Sequence, residues 1–348
     1  MILVFRAGST KDEVTNAEKR LKEIGLEPHT LFGVERTVIA AIGDERITSS
    51  EELAGIPGVE KVLPILAPYK LASREVNPNP SVFEIGGGDC TVKPHSNKVT
   101  FGGNRIPIIA GPCSVEGRNQ IIEVAHAVKE AGATALRAGA FKPRTSPYQF
   151  QGLAEEGLEY LAEAREATGL PVVTEVLTPA DVPLVAKYAD CLQIGTRNMQ
   201  NFLLLKACGA VKTPVLLKRG MSATLEEYLL AAEYILSGGN KRVLLCERGI
   251  RTFETYVRNT FALAMVPALK EKTHLPVLAD PSHGTGVRSL VPAMTKASIA
   301  CGADGILIEV HPTPEKALTD AAQTMSVKDF AKLVKECKAI AEAVGRTI

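Results

Sequence analysis

Apolar positions in the first 66 residues repeat as β-α-β-β-α-β. Ile2–Phe5 is a short apolar run. Thr10 and Glu13 have capping-box spacing, and Val14, Ala17, Leu21 and Ile24 then fall on one helical face that Gly25 ends. Two strands follow around a turn at Gly33, with Thr37–Ile42 the stronger. Ser49 and Glu52 repeat the capping spacing, and Val59–Leu63 is the last strand. This order predicts a ferredoxin-like domain over residues 1–66.

Residues 67–105 lose that regularity. Asn77-Pro78-Asn79-Pro80 and Gly86-Gly87-Gly88-Asp89 punctuate them, which predicts a connector carrying a small hairpin. From Ile106 onward, short apolar runs alternate with helical stretches. The runs are Ile106–Ala110, Thr134–Arg137, Pro171–Val176, Cys191–Ile194, Pro214–Leu217, Arg242–Cys246, Pro276–Ala279 and Gly305–Glu309. Thr224 and Glu227 cap one of the helices between them, whose Leu225, Tyr228, Leu229, Ala232 and Leu236 share a face. Eight β-α repeats in roughly 240 residues fit a closed barrel. A doubly wound sheet would show a Gly-rich turn after its first strand, and none is present. The fold class is α/β: a (β/α)8 TIM barrel over 106–348, preceded by a small ferredoxin-like βαββαβ domain.

Composition narrows the function more than the fold. Hydrophobic residues at 45% and charged residues at 23% can bury a large core. Forty Lys and Arg against 39 Asp and Glu leave a net charge of +1, so no global field draws the chain to nucleic acid or a membrane surface. Cations that matter must be local. The N-terminal apolar run is too short for a signal segment and no later run approaches a membrane span. Seven Cys without a C-x-x-C pair form no disulfide framework, which points to a reducing cytoplasm.

Chemistry in such a barrel sits where strands end at their C-terminal side. Cys113 follows the first strand, His283 the seventh, and Glu309 and Asp320 the eighth. Singly, each is an ordinary buried thiol or surface group. Together on one rim they make a thiolate, imidazole and carboxylate set suited to a divalent first-row ion, and ligand type alone does not fix which one. His274 and His311 read as structural. A second group is cationic: Arg137, Lys142, Arg144, Arg197, Lys218 and Arg248. Left uncompensated they repel one another, so they imply a polyanionic ligand. Arg144 with the Thr145 and Ser146 hydroxyls, stiffened by Pro143, offers a phosphate cradle. Arg219 and Arg251 are assigned to solvent faces.

Gly111-Pro112-Cys113-Ser114-Val115-Glu116, Lys142-Pro143-Arg144-Thr145-Ser146, Gln193-Ile194-Gly195-Thr196-Arg197-Asn198, Leu217-Lys218-Arg219-Gly220-Met221, Cys246-Glu247-Arg248-Gly249 and Ile308-Glu309-Val310-His311-Pro312 resemble the 3-deoxy-D-arabino-heptulosonate 7-phosphate synthases. With the first domain and Tyr69–Arg74, the resemblance spans essentially the whole chain and is to the type I beta branch. It implies condensation of phosphoenolpyruvate with erythrose 4-phosphate, the first step of the shikimate pathway. It further implies a divalent metal, Mn2+ or another first-row cation, on Cys113, His283, Glu309 and Asp320. Phosphoenolpyruvate would be held by Arg137, Lys142, Arg197, Lys218 and Arg248, with Thr196 contributing a backbone N–H. The aldose phosphate would meet Arg144, Thr145 and Ser146. Lys142, Glu175 and His283 are the expected catalytic residues, with Glu175 placing the attacking water. Thr196 stands where Ala is common, and His283-Gly284-Thr285-Gly286 departs from the usual residues after this His.

The resemblance also implies a homotetramer and feedback control by tyrosine or phenylalanine through the first domain. There His29 and Thr30 would supply polar groups, and Leu31 and Phe32 an apolar wall. The sister reaction, 3-deoxy-manno-octulosonate 8-phosphate synthesis from arabinose 5-phosphate, is the alternative. Its loop typically carries Asn-Arg-Ser-Ser where this chain has Lys142–Ser146. A non-catalytic amino-acid sensor would have lost a metal ligand or a phosphate-binding cation, and none is lost.

Overall fold

The structure is a computed structural model and describes every residue except 34–35, 45–46 and 64–66. Two compact units divide it, Met1–Asn79 and Pro80–Ile348. Residue 66, the expected end of the first domain, lies outside the described residues. The expected connector is shared, with 67–79 in the first unit and 80–105 in the second.

In the first unit β1 (Ile2–Phe5), β2 (Glu27–Phe32), β3 (Thr37–Ile42) and β4 (Val59–Leu63) form an antiparallel sheet in the order β2-β3-β1-β4. Helices α1 (Lys11–Glu23) and α2 (Ser50–Ala54) complete the ferredoxin-like arrangement. The Thr10 hydroxyl accepts from Glu13 N at 3.2 Å while Glu13 accepts from Thr10 N at 2.8 Å, so the predicted box is reciprocal. At α2 only half of it forms. Ser49 accepts from Glu52 N at 3.1 Å, but the Glu52 carboxylate takes the Thr48 hydroxyl at 2.9 Å instead. Leu3, Phe5, Ile39 and Ala41 pack with Val14, Ala17, Leu21 and Leu53, while Ile2, Ala40 and Val76 cluster on the other sheet face.

In the second unit a hairpin of β5 (Phe83–Gly86) and β6 (Lys98–Phe101) precedes eight parallel strands. These are β7 (Ile108–Gly111), β8 (Ala135–Arg137), β9 (Val172–Val176), β10 (Cys191–Ile194), β11 (Val215–Lys218), β12 (Val243–Glu247), β13 (Val277–Ala279) and β14 (Gly305–His311). Each pairs with the next and β14 returns to β7, which closes the barrel; β15 (Met325–Ser326) extends the edge beyond β14. Every residue of β7 to β14 is buried, as strands covered on both faces require. Among the described residues no helix is long and apolar enough to cross a membrane.

The hairpin is the floor of the barrel. Its Ile85 and Phe101 join Ile109, Val173, Leu216, Leu244, Leu278 and Leu307 in one core cluster. Ser81 N donates to His274 O at 2.8 Å and the Ser81 hydroxyl meets His274 Nδ1 at 2.7 Å, so His274 serves this end, as expected. Nearby, Arg165 is fully buried and pairs with Asp190 at 3.1 Å. It also donates to the carbonyls of Val92, Lys93 and Tyr188. Asp190 further meets His95 Nε2 at 3.2 Å and accepts from Val172 N at 2.8 Å. Segment, helix and strand are thus tied by one buried ion pair, leaving the opposite end for chemistry.

Burial raises the Asp190 carboxyl pKa, but the His95 hydrogen bond and the Arg165 charge outweigh it and hold it below the ordinary value. Its contribution is therefore present above the unfolded carboxylate value of about 3.9 and is lost as pH falls through the lower folded value. Asp190→Asn should cost about 3–5 kcal/mol near neutral pH by leaving Arg165 unopposed. Urea unfolding checks this: the gap from wild type should be constant above about pH 5 and close only in strong acid. A gap that closes near neutrality would contradict it.

Candidate active site

The turn after β7 carries Cys113, and the segment after β14 carries Asp320 with a left-handed φ of 49°. Donor atoms of Cys113, Glu309 and Asp320 all lie within 4.8 Å of one another, with the thiol donating to Asp320 at 3.3 Å. His283 Nε2 is 3.5 Å from Glu309 and 3.6 Å from Asp320. The expected four thus gather on one rim, and three form the tightest set. Burial, with Glu309, pushes the Cys113 thiol up to about 12, against the opposing charge of Lys142. Burial also opposes ionisation of Asp320, yet its bond to His283 and the charges of His283 and Arg258 hold its carboxyl far below the usual range. One soft donor, one imidazole and two carboxylates fit a divalent first-row cation.

Cations interlock with this cluster. Arg137 donates to Glu309 and to Pro112 O, both at 2.9 Å. Lys142 reaches the Cys113 sulfur at 3.2 Å and its carbonyl at 3.1 Å. Lys218 pairs with Asp280 at 2.5 Å. Beside them opens a cavity of about 260 Å³ whose wall includes Arg137, Lys142, Arg144, Arg197, Lys218 and Arg248. Glu175, Thr145 and Thr196 line it too. Gly195 makes room for Glu175, because a Cβ there would stand 2.0 Å from the carboxylate.

Arg144, Arg197, Arg248 and Arg251 differ from the paired cations: among the described residues none has a carboxylate partner. Arg144 donates to Gln149 at 3.1 Å, Arg197 to Thr145 at 3.5 Å and Arg248 to Gly249 O at 3.3 Å. The buried Arg248 Nε has no protein partner, and burial lowers this side chain's pKa.

Several expectations change. Ser146 is outside the cavity wall; its hydroxyl accepts from Tyr148 N at 3.4 Å. Arg219 is buried rather than solvated, donating to Glu247 at 2.8 Å and twice to Ala223 O. Arg251 is exposed as expected, yet it lines the cavity. His311 stays structural, its Nδ1 accepting from Thr313 N at 3.0 Å. His29 pairs with Ala40 and Thr30 with Ile39 across β2 and β3, so the two side chains point to opposite sheet faces. The Thr30 hydroxyl is taken by Glu18, so these two cannot line one pocket on a single face.

Sequence reasoning passed over Gln149, Gln193, Arg258 and Asn259, all in the cavity wall. Arg258 pairs with Asp320 at 3.1 Å and with Gln323 at 3.1 Å, and Gln323 in turn donates to Glu309 at 2.7 Å. The signal for Arg258 was the long aperiodic stretch after β12, since loops of that length are commonly functional. The loop shape at His283 is now defined. Pro281–Thr285 is one helical turn, and Gly286 ends it at φ 71°. A Cβ on Gly284 would strike the Phe261 ring at 2.6 Å, so Gly here admits the stretch that carries Arg258.

Residues 89–344 match the DAHP synthetase I family, and residues 1–67 match the DAHP synthase ferredoxin-like domain. The chain belongs to the DAHP synthetase I family. Among members, the phospho-2-dehydro-3-deoxyheptonate aldolase of Thermotoga maritima is 49% identical over 99% of both chains. A crystal structure of that enzyme, also named DAHP synthase, superposes with a TM-score of 0.77 at 48% identity, covering 99% of this chain and 98% of that one. The 2-dehydro-3-deoxyphosphooctonate aldolase of Nitratidesulfovibrio vulgaris is 34% identical over 67% of this chain and 91% of its own. The family match spans the barrel and every rim residue described above.

Because the Cys113 thiol is held protonated near neutrality, a divalent ion bound there should displace its proton, and affinity should rise with pH. Calorimetry of Co2+ binding in buffers of different ionisation enthalpy should show about one proton released at pH 7. Cys113→Ser should abolish that release and weaken binding severely. Unchanged release in the variant would remove Cys113 from the ligand set.

Proposed function

We propose that this chain condenses phosphoenolpyruvate with D-erythrose 4-phosphate to give 3-deoxy-D-arabino-heptulosonate 7-phosphate and inorganic phosphate, the first step of the shikimate pathway. The observation that carries it is the adjacency of two features: the Cys113, His283, Glu309 and Asp320 donor set, and a cavity bordered by His283, Asp320 and arginines without carboxylate partners. Two phosphorylated substrates supply the anions those arginines lack.

Cys113, His283, Glu309 and Asp320 would hold the divalent ion, Mn2+ or another of the first row. When bound, it supplies Lewis acidity toward the aldose carbonyl. Arg137, Lys142, Arg197, Lys218 and Arg248, with the Thr196 backbone, bind phosphoenolpyruvate and hold its C3 toward that carbonyl. As the C3–C1 bond forms, positive character develops at C2. Glu175, buried at the wall, orients a water toward C2 and takes its proton. Phosphate then leaves by C–O cleavage, its charge balanced by the surrounding cations. Arg144 and Thr145 receive the aldose phosphate; Ser146 supports that loop through the backbone.

The octulosonate relatives make the sister reaction the second reading. The Lys142–Ser146 loop favours erythrose 4-phosphate. Turnover with phosphoenolpyruvate, Mn2+ and either aldose decides it; preference for arabinose 5-phosphate would reverse the assignment. Arg144→Ala should raise the KM for erythrose 4-phosphate about ten- to hundredfold, the loss of one charge-assisted contact worth roughly 1.5–3 kcal/mol. The KM for phosphoenolpyruvate should hold, and an equal rise in both would mean the phosphate sites are exchanged.

Among the described residues none of the first unit lines the cavity, and in this reading that unit is regulatory. Its effector is tyrosine or phenylalanine, bound in a cytoplasmic homotetramer near β2, on the face that His29 shares with Leu31. Residues 80–348 alone should remain active and lose inhibition by both amino acids. A solved truncated form of the Thermotoga maritima synthase covers 80% of this chain. Equal inhibition of full-length and truncated protein would put the effector site in the barrel.

A further inference from the structure

Asp280 has no solvent exposure, and each of its carboxylate oxygens is engaged. Oδ1 accepts the backbone N–H of His283 at 3.0 Å, capping the helical turn Pro281–Thr285. Oδ2 stands 2.8 Å from His283 Nδ1 and 2.5 Å from Lys218 Nζ. The imidazole is therefore gripped at both its backbone and its ring. The carboxylate stands at ion-pair distance from Nδ1 and so fixes which edge of the ring turns toward it. The other ring nitrogen, Nε2, is the atom facing Glu309 and Asp320 at 3.5 and 3.6 Å. Lys218 meets the same oxygen and anchors the carboxylate from the end of β11.

We propose that Asp280 is the positioning residue of the candidate metal site: it holds the backbone and the Nδ1 edge of His283, aims Nε2 at the carboxylates, and is itself anchored by Lys218. This rests on the reading of His283 as a metal ligand. The residue acts through His283 and touches no substrate. A carboxylate behind a ligating imidazole also raises the basicity of the coordinating nitrogen, and losing one typically weakens metal affinity about 10–100-fold.

The test uses the full chain, stripped of metal and titrated with Co2+ by absorbance. Wild type must bind with a thiolate-to-cobalt band that Cys113→Ser loses; failure at this step refutes the metal reading itself. With it satisfied, Asp280→Asn should raise the Co2+ Kd about 10–100-fold, and Asp280→Glu should recover part of the loss. Thermal midpoints of the metal-free variants separate this effect from misfolding. Wild-type affinity in Asp280→Asn would overturn the proposal. A second measurement needs no variant at Asp280. In the Cd2+-loaded wild type, 15N spectra should show His283 protonated on Nδ1 and coupled to the metal through Nε2. Coupling through Nδ1 would overturn the proposal even if every variant failed to fold.

Discussion

Arg137, Lys142, Lys218, Glu247, Asp280 and Glu309 are all withdrawn from water at one end of a parallel barrel, where an isolated ion costs several kcal/mol. The arrangement of that end follows from the need to oppose each of them. Arg137 answers Glu309, Lys218 answers Asp280, and Arg219 answers Glu247. Lys142 faces the Cys113 sulfur. The pairs also interlock, since His283 touches Asp280, Glu309 and Asp320 at once. Such a lattice tolerates little relaxation, because moving one partner leaves another buried and unopposed. Rigidity of the donor set is thus a consequence of charge burial, and it suits a site that must hold its geometry before any ligand arrives.

A lattice of this kind needs a dry, fixed barrel beneath it, and the hairpin of β5 and β6 supplies the floor. Ile85 and Phe101 fill the end that eight strands alone would leave open. The buried Arg165–Asp190 pair ties the segment after β5 to the outer helix Ala154–Thr168 and the start of β10. Both ends of the barrel therefore rely on buried charge, but with different demands. At the floor the pair is closed by backbone carbonyls and has nothing to exchange. At the mouth the charged groups border a cavity that a substrate can enter.

The eight strands were legible because each is a short apolar run bounded by a polar or Gly/Pro break, and all begin and end within two residues of their runs. Cys113, His283, Glu309 and Asp320 were legible because chemistry in a barrel gathers where strands end. Arg251 is exposed, as expected, although it lines the cavity; it is Arg219 that was misassigned. Adjacent strand-end residues point to opposite sides, and sequence does not say which of Lys218 and Arg219 turns inward to the cavity and which turns outward to Glu247. Arg258 was passed over because the long stretch that signals a functional loop does not show which of its residues reaches the rim; that depends on its path over Gly284 and Gly286. Ser146, next to Thr145 in sequence, lies outside the cavity wall. At His29 and Thr30 the period of two was overlooked, and it places consecutive strand residues on opposite faces.

The two sides of the cavity also differ in what a ligand must displace. On the donor side Arg137 and Lys218 already have full carboxylate partners, so an anion approaching them shares charge that is partly spent. Arg144, Arg197 and Arg248 meet only neutral oxygens. An anion meeting these three exchanges weak neutral contacts for charge-assisted ones, which are roughly twice as strong. Affinity for phosphate groups should therefore be concentrated on the unpaired arginines, whereas the paired cations fix where the reacting carbons lie. The same division explains why Lys142 is central. It belongs to the donor side through Cys113, yet it lines the cavity beside Glu175 and Arg144. A single ammonium there senses both the sulfur and any anion that enters, so occupancy on one side alters the electrostatics of the other at hydrogen-bond range.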